Sequence, residues 1–443
     1  DIQHYLGVRI NAERAWQDLS PRGLTQLICS IPEKTPAASQ PEALRHDADE
    51  RYAPFPLTPI QHAYWLGRTH LIGYGGVACH VLFEWDKRHD ELDLSLLEKA
   101  WNQLIARHDM LRMVVDADGQ QRVLATTPTY RIPRDDLRAL SPQEQRLALE
   151  KRRLELSYRV LPADQWPLFE LVVSEIDDCR YRLHMNLDLL QFDVQSFKDM
   201  MDDLAQAWRG ETLAPLDITF RDYVMAEQAR RQTAAWHDAW EYWQEKLPQL
   251  PLAPELPVVE TPPETPHFTT FTSTIGKPAW QAVKQRWQQQ GLTPSAALLT
   301  LFAATLERWS RTAEFTLNLT FFNRQPVHPQ INQLIGDFTS VTLVDFNFTA
   351  PATLQEQMQG TQQRLWQNMA HSEMNGVEVI RELGRLRGSQ HQPLMPVVFT
   401  SMLGMTLEGM AIDRAMSRLF GEPCYVFTQT PQVWLDHQVM ESD

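Results

Sequence analysis

Strand-like and helix-like segments alternate along most of this chain, and one proline-rich stretch divides the alternation into two halves. That stretch is LPQLPLAPELPVVETPPETPHF, residues 247–268. On each side of it, β-branched or alternating runs precede amphipathic runs, a pattern typical of α/β layers. The length of 443 residues also favours two or three compact units over one. The sequence therefore predicts two α/β units of similar size, with a ligand site favoured in the cleft between them.

The first half contains several clear local signals. Residues 77–85, VACHVLFEW, are rich in β-branched and aromatic side chains and predict a strand. Residues 95–108, SLLEKAWNQLIARH, predict a helix that begins with a capping box of Ser95 and Glu98. Its apolar face is predicted to contain Leu97, Ala100, Trp101, Leu104 and Ile105. The dipeptide Asp118-Gly119 lies between two strand-like runs and predicts a hairpin.

The second half repeats the pattern. Residues 268–275, FTTFTSTI, and residues 314–322, EFTLNLTFF, alternate and predict strands. Thr293 followed by Pro294 predicts the start of a helix, with the threonine as N-cap and the proline in the first turn. The apolar face of this helix is predicted to contain Leu298, Leu301, Phe302, Leu306 and Trp309.

Two aspartates and a serine lie where a predicted strand meets a predicted helix. Residues 181–189, YRLHMNLDL, alternate, and apolar residues then recur at helical spacing up to Gly210. Asp188, Asp193 and Ser196 fall at this junction. An aspartate before an amphipathic run is most often an N-cap, so the spacing alone favours scaffolding over chemistry.

The overall charge argues against nucleic acids and anionic membranes as partners. The chain has 56 acidic and 41 basic residues, a formal net charge of −15, which repels phosphate groups. No apolar run reaches the roughly 18 residues that a membrane-spanning helix needs. We therefore expect a protein that neither spans membranes nor binds nucleic acid.

The cysteines and histidines do not form a pattern typical of a metal site. Four cysteines are scattered without C-x-x-C spacing, which also argues against a disulfide framework and fits a reducing cytoplasm. They are Cys29, Cys79, Cys179 and Cys424. His328 and His371 have no partner four residues on, and no glycine-rich phosphate loop is visible. We expect neither a metal nor a nucleotide cofactor.

Eight stretches, in order, resemble the motifs of heterocyclization domains, the relatives of condensation domains in nonribosomal peptide synthetases. In that family the pattern D-x-x-x-x-D-x-x-S replaces the histidine motif of ordinary condensation domains. The stretches are FPLTPIQHAYWLGR (55–68), RHDML (107–111), the aspartate pattern (188–196), YWQEKLPQLPLAPELP (242–257), LTPSAALLTLFAATLERWS (292–310), IGDFTSVTL (335–343), PVVFTSMLG (396–404) and FTQTPQVWLDHQ (427–438).

The resemblance implies an α/β fold of two chloramphenicol-acetyltransferase-like lobes, a pseudo-dimer with a substrate tunnel at the lobe interface. Residues 55–225 are then the N-terminal lobe and residues 226–443 the C-terminal lobe, which we expect to be truncated. Residues 1–31 resemble the last helices of a carrier domain, and residues 32–54 are expected to be a linker.

The resemblance also implies a function. Carrier-bound acyl and cysteinyl thioesters would be condensed to an amide, and cyclodehydration would then give a thiazoline, in siderophore synthesis. The partners implied are upstream and downstream carrier domains, whose phosphopantetheine arms bring the substrates, and an adenylation domain of the same assembly. The domain itself would bind no cofactor.

Two residues match the positions that the family uses for cyclodehydration, Thr400 and Asp436. An aspartate shielded from water can exchange protons at neutral pH, and a threonine hydroxyl can orient it or donate to a developing oxyanion. Ser401 and Gln438 are weaker candidates for the same cluster. Without the resemblance, both main candidates would be interpreted as ordinary strand or turn residues.

For the aspartates of the junction, the resemblance favours structural roles. Asp193 is expected to cap a helix or pair with an arginine, with Arg68, Arg107 and Arg112 as possible partners. Asp188 is expected to help shape the tunnel.

Three alternative functions stay open: a non-catalytic domain that docks carriers, an ordinary condensation domain, and an acyltransferase acting on coenzyme A thioesters. The last would need a catalytic histidine near residues 184–196, where Leu189 follows Asp188.

Overall fold

The computed structural model describes residues 44, 46–71, 73–259, 266–388, 392–403 and 419–441. The expected carrier remnant, residues 1–31, lies outside the described residues, as does most of the expected linker. Strands of the described part are, in chain order, β1 (Phe55–Pro56), β2 (His80–Arg88), β3 (Met113–Val115), β4 (Gln120–Val123), β5 (Arg134–Asp136), β6 (Phe169–Glu175), β7 (Arg180–Asp188), β8 (Glu314–Phe322), β9 (Thr339–Asn347), β10 (Val397–Ser401), β11 (Tyr425–Gln429) and β12 (Leu435–Val439).

Helices alternate with these strands in both halves. In chain order the described α-helices are α1 (Pro59–Gly67), α2 (Leu94–Arg107), α3 (Pro142–Ser157), α4 (Val194–Trp208), α5 (Phe220–Arg230), α6 (Ala234–Lys246), α7 (Lys277–Gln289), α8 (Pro294–Glu307), α9 (Leu354–Ala370) and α10 (Gly376–Arg387). The predicted division between the lobes, at residues 225 and 226, falls inside α5 and stays a prediction.

The first half is organised around a five-stranded sheet with the order β11-β2-β7-β6-β5. Helices α2 and α4 pack on it through a continuous apolar core. The predicted apolar face of α2 is confirmed, since all five of its residues are buried. Its predicted capping box is wrong: the side chain of Asp93, not Ser95, accepts the N–H groups of the first turn. Glu98 instead pairs with Arg131, because it faces a neighbouring loop.

The hairpin predicted at Asp118-Gly119 is confirmed. Strands β3 and β4 pair antiparallel, and the turn between them contains Gly119 with a φ of 78°. Such a positive φ is readily adopted by glycine, which has no Cβ. The two strands form a small separate sheet with the order β1-β4-β3.

The second half is built on a four-stranded sheet with the order β12-β10-β8-β9. Thr293 caps α8 and Pro294 lies in its first turn, as predicted. The predicted apolar face of this helix is only partly right, since Trp309 is 68% exposed beyond the helix end. Small residues such as Ala297 and Ala303 are buried instead, because the helix lies close against its neighbours and leaves little room for large side chains.

The predicted strand at residues 268–275 does not form. The chain is irregular there, and Phe271 is 92% exposed. Alternating residues favour a strand only where a neighbouring strand supplies backbone partners, and no described strand pairs with this segment. The prediction for residues 314–322 is confirmed, since β8 spans them.

One strand crosses from the second half into the first. Strand β11 follows β10 in the chain, yet it pairs antiparallel with β2 at the edge of the five-stranded sheet. The chain then returns, and β12 pairs parallel with β10. The two halves therefore share a strand as well as a packed interface.

Candidate active site between the two halves

Strands β10 and β12 place the two candidate residues of the second half side by side. In their parallel register, Val398 lies beside Asp436, and Thr400 lies beside Gln438. Residues paired across strands, and residues two apart along a strand, point to the same face of a sheet. Asp436, Gln438 and Thr400 therefore share one face of the sheet.

The central strand β8 extends this face. Asn318 lies beside Val398, and Thr320 lies beside Thr400. A polar row thus crosses three strands through Gln438, Thr400 and Thr320. We call this the threonine row. On β9, the row continues into Val341, the partner of Thr320.

Asp436 is an acid of this face whose surroundings perturb its pKa. Its Oδ2 atom accepts a hydrogen bond from Nε2 of Gln438 at 2.8 Å, while its Oδ1 atom is buried without a protein partner. Burial raises the pKa of Asp436 above its usual range, and the bond from Gln438 opposes the shift. The carboxyl group therefore keeps its proton to a higher pH than an exposed aspartate, and its Oδ1 atom is not engaged by any described protein donor.

Ser401 points away from this cluster. Its hydroxyl lies 2.8 Å from that of Ser295, in the first turn of α8. Phe399, two residues earlier on the same face, belongs to the core between the sheet and α8. The structure brings Thr400, Asp436 and Gln438 together, and leaves Ser401 on the opposite side of the sheet.

Three residues that the sequence did not indicate as site residues interact with one another: Tyr64 of α1, the buried Cys79 and the buried Asp337. Asp337 accepts the N–H of Thr339 at 3.0 Å, and its other oxygen has no protein partner. Burial raises the pKa of Asp337 well above its usual range. Tyr64 and Asp337 fall in the stretches FPLTPIQHAYWLGR and IGDFTSVTL, so the motifs themselves were the available signal.

Asp188, the last residue of β7, makes contacts that are typical of a structural residue. It forms a buried ion pair with Arg68, and its Oδ1 atom accepts the N–H of Leu190 at 3.0 Å. Arg68 also donates to the carbonyl oxygen of Leu161 at 2.6 Å. These contacts satisfy the carboxylate with fixed protein donors, which suits a supporting role.

Asp193 is the N-cap of α4. Its Oδ1 atom accepts the N–H of Ser196 at 2.7 Å, and its Oδ2 atom accepts the N–H of Phe338 at 3.3 Å. The hydroxyl of Ser196 donates to the carbonyl oxygen of Gly336 at 2.7 Å. Asp193 and Ser196 therefore bind the loop before β9 to the start of α4.

The arginine that pairs with Asp193 is Arg324, at 3.4 Å, and none of the three predicted partners. Arg68 pairs with Asp188. Arg107 pairs with Asp203, and Arg112 pairs with Asp109. The correction has a simple cause: Asp193 faces the second half of the molecule, whereas these three arginines belong to the first.

Two properties of the described residues bear on ligands and membranes. No group of three or more His, Cys, Asp or Glu side chains is placed to hold a metal ion in the ranges that the structure describes. Within the same ranges, no helix has both the length and the apolar character needed to cross a bilayer.

A family profile decides what kind of domain this architecture represents. The profile described as "Condensation domain" matches residues 54–411, which include most of both halves. The chain belongs to the condensation-domain family of nonribosomal peptide synthetases. Solved relatives support the same assignment. This condensation domain is similar to the EpoB cyclization-docking bidomain of Sorangium cellulosum, with a TM-score of 0.80 and 35% identity over 91% of this chain and 80% of that one.

The fold prediction is confirmed by these structures, since condensation domains have two chloramphenicol-acetyltransferase-like lobes of mixed α/β structure. A more distant relative, the X-domain from teicoplanin biosynthesis, has a TM-score of 0.68 at 19% identity, which shows the fold alone.

Curated relatives are similar over most of this condensation domain. Pyochelin synthetase PchF of Pseudomonas aeruginosa is 37% identical over 411 residues, which are 90% of this chain and 22% of the synthetase. Phenyloxazoline synthase MbtB of Mycolicibacterium paratuberculosis is 36% identical over 423 residues, which are 94% of this chain and 35% of the synthase. The chain thus spans about a fifth to a third of these relatives.

Proposed function

We propose that this condensation domain is a heterocyclization domain, which joins an acyl thioester to a cysteinyl thioester and then closes the product to a thiazoline. The observation that carries the proposal is the carboxyl group of Asp436, whose Oδ1 atom is buried without a protein hydrogen-bond partner on the face that also carries Thr400. Condensation alone needs positioning, whereas cyclodehydration needs a group that exchanges protons.

The relatives agree with this chemistry. The names of two of them refer to a phenyloxazoline and to a cyclization domain. The substrates would arrive on the phosphopantetheine arms of upstream and downstream carrier domains, loaded by an adenylation domain of the same assembly. The tunnel for these arms would run between the lobes, and the siderophore setting expected from the sequence belongs to the same proposal.

In the first step, the cysteinyl amine attacks the acyl thioester, forms the amide and releases the upstream carrier thiol. In the second step, the cysteine thiol attacks the amide carbonyl. The carboxylate of Asp436 takes the thiol proton and passes it to the oxygen, which becomes a hydroxyl group. In the third step, Asp436 takes the amide N–H proton and passes it to that hydroxyl group, so that water leaves and the C=N bond forms.

Thr400 supports these transfers. Its hydroxyl lies one strand away and one row along from the carboxyl group of Asp436. A positioned hydroxyl can donate to the oxygen as negative charge develops on it. The amide of Gln438 donates a hydrogen bond to Oδ2 of Asp436. This bond fixes the orientation of the carboxyl group and so the direction of Oδ1.

The test is intact-mass measurement of a downstream carrier preloaded with cysteine, after reaction with a benzoyl-loaded upstream carrier. Heterocyclization predicts a mass one water below the condensation product. A condensation product that keeps this water identifies an ordinary condensation domain, and an unchanged carrier identifies a docking domain. Either result would overturn the proposal.

A further inference from the structure

Helix α1 brings Tyr64 of the first half toward the face of the second sheet that carries Asp436. The helix begins at a capping box in which Thr58 and Gln61 each accept the backbone N–H of the other. The Gln61 amide also donates to the carbonyl oxygen of Leu190 at 2.7 Å. The start of the helix is therefore fixed to the frame of the first half.

The other end of α1 is fixed to the segment that leads into β12. Nε2 of Gln432 donates to the carbonyl oxygen of Ala63 at 3.2 Å. Gly67 packs so closely on Pro431 that a Cβ atom at Gly67 would lie 2.5 Å from the proline ring. Since residues 431–432 directly precede the strand of Asp436, one short segment sets the position of α1 relative to the proposed acid.

The ring of Tyr64 packs on the end of the threonine row. It contacts the small cluster of Ile60, Val341 and Val377, and Val341 is the β9 member of the row that continues through Thr320. The ring therefore covers the same sheet face as the candidate residues, from the side of the first half.

The surroundings of Tyr64 keep its hydroxyl protonated. Burial raises the pKa of Tyr64 well above its usual range, and the nearby Cys79, Asp337 and Asp436 raise it further. The Cys79 thiol in turn donates to the hydroxyl of Thr430 at 3.8 Å. Tyr64 thus keeps a neutral hydroxyl, which has Cys79 as a hydrogen-bond neighbour and is affected by the charges of Asp337 and Asp436.

We propose that Tyr64 is a further catalytic residue of the cyclodehydration, whose hydroxyl donates a hydrogen bond to the amide oxygen as the cysteine sulfur attacks. This inference rests on the proposed heterocyclization. No proton leaves Tyr64: the C–S bond forms, the C=O π bond breaks, and the oxygen keeps the proton that Asp436 delivers. The hydroxyl stabilises the charge on that oxygen during the transfer.

The chemistry needs a hydrogen-bond donor other than Asp436. At the moment of attack Asp436 is a carboxylate that accepts the thiol proton, so it does not yet donate. The amide of Gln438 is already engaged with Oδ2 of the same carboxylate. Donors that are in place before charge develops are the ones that lower the barrier, and Tyr64 supplies one from a helix fixed at both ends.

The experiment compares Tyr64→Phe with the unmodified chain, using carriers preloaded with benzoyl and cysteinyl thioesters and intact-mass measurement of both products over time. We expect condensation at the unmodified rate and cyclisation slowed about 10²-fold, the usual cost of one lost oxyanion donor. The uncyclised dipeptidyl thioester should therefore accumulate.

Two control variants separate the hydroxyl from the packing around it. Val377→Ala changes the packing around the ring of Tyr64 but keeps its hydroxyl, and Tyr158→Phe removes a hydroxyl from a ring that packs on Phe427 of β11. Both should cyclise like the unmodified chain. Circular dichroism and thermal melting of each variant check that the fold is retained.

The inference is overturned if Tyr64→Phe cyclises at the unmodified rate, if it loses condensation and cyclisation in parallel, or if Val377→Ala shows the same defect. An unmodified chain that condenses without losing water overturns the proposed function instead, and this inference with it.

Discussion

Arg68 and Asp188 form a buried ion pair that joins the end of helix α1 to the end of strand β7. The side chains are 6% and 2% exposed, so neither charge is well hydrated if its partner is removed. The pair lies between the helix that carries Tyr64 and the strand that leads to the α4 cap. The ion pair therefore fixes the position of α1 relative to β7, on the side of the site that the first half forms.

We expect Asp188→Ala to lower the free energy of unfolding by about 3–5 kcal/mol, because it leaves the guanidinium of Arg68 buried and unpaired. Urea unfolding followed by circular dichroism measures this change. The double variant Arg68→Met with Asp188→Leu should recover most of the loss, since it removes both charges. An Asp188→Ala protein as stable as the unmodified one would show that the pair does not support the fold.

Asp193→Ala should impair condensation and cyclisation together. The carboxylate caps α4 through the N–H of Ser196 and pairs with Arg324, so its loss removes a cap and a buried ion pair at once. We expect a loss of about 3–5 kcal/mol in the free energy of unfolding, against roughly 0.5–2 kcal/mol for a cap alone.

Asp93→Ala is the matched control for this prediction. Asp93 caps α2 but is exposed and makes none of the described ion pairs. It should cost only the cap and leave both reactions intact. A stable Asp193→Ala protein that condenses normally but fails to cyclise would instead place Asp193 in the chemistry.

Asp436→Asn should separate the two reactions. Asparagine keeps the shape of the side chain but cannot exchange protons, so cyclisation should slow roughly 10²- to 10⁴-fold while condensation persists. Thr400→Val should give the same uncyclised product with a milder defect. Quenched time courses with intact-mass measurement check both variants. Equal loss of both reactions, or unchanged thiazoline formation, would refute the assigned roles.

The pH dependence of cyclisation should reflect the raised pKa of Asp436. The proposed attack uses the carboxylate, so cyclisation should slow as the pH falls through this pKa. Since the pKa lies above the ordinary value of an aspartate, the slowing should begin at a higher pH than an exposed aspartate would give. Burial raises the pKa of Tyr64, so its hydroxyl stays protonated throughout this range.

The measurement is the cyclisation rate of a preformed dipeptidyl thioester between about pH 4 and pH 8, a range over which a perturbed carboxyl group titrates. The acidic limb should be present in the unmodified chain and absent from Asp436→Asn. The same limb in both proteins would assign it to another group.

Local sequence patterns predicted those elements whose stability depends on neighbouring residues. The face of α2, the cap at Thr293 and the turn at Gly119 were all predicted correctly, because each depends on contacts within a few positions. The strand predicted at residues 268–275 failed because alternation does not specify a pairing partner. Ser95 was predicted as the cap because it precedes Glu98 at capping-box spacing, whereas the helix begins earlier and is capped by Asp93.

Partners distant in sequence were harder to predict. Arg324 lies 131 residues from Asp193, and no local pattern links them. Thr400 and Asp436 became candidates only through the family motifs, since their common face depends on the register of β10 and β12. Tyr64 was missed because a tyrosine in an amphipathic helix is ordinarily a packing residue, and only the assembled junction shows which acids surround it.

Strand β11 has a consequence for exchanging parts between related synthetases. A chimera cut in the proline-rich stretch divides the chain into two consecutive pieces, but the second piece still carries the edge strand of the first piece's sheet. A donor half from another synthetase would therefore have to match β2 of the recipient as well as the lobe interface. Chimeras that keep residues 425–429 with the recipient's own sequence should tolerate such exchanges better than those that divide the chain by order alone.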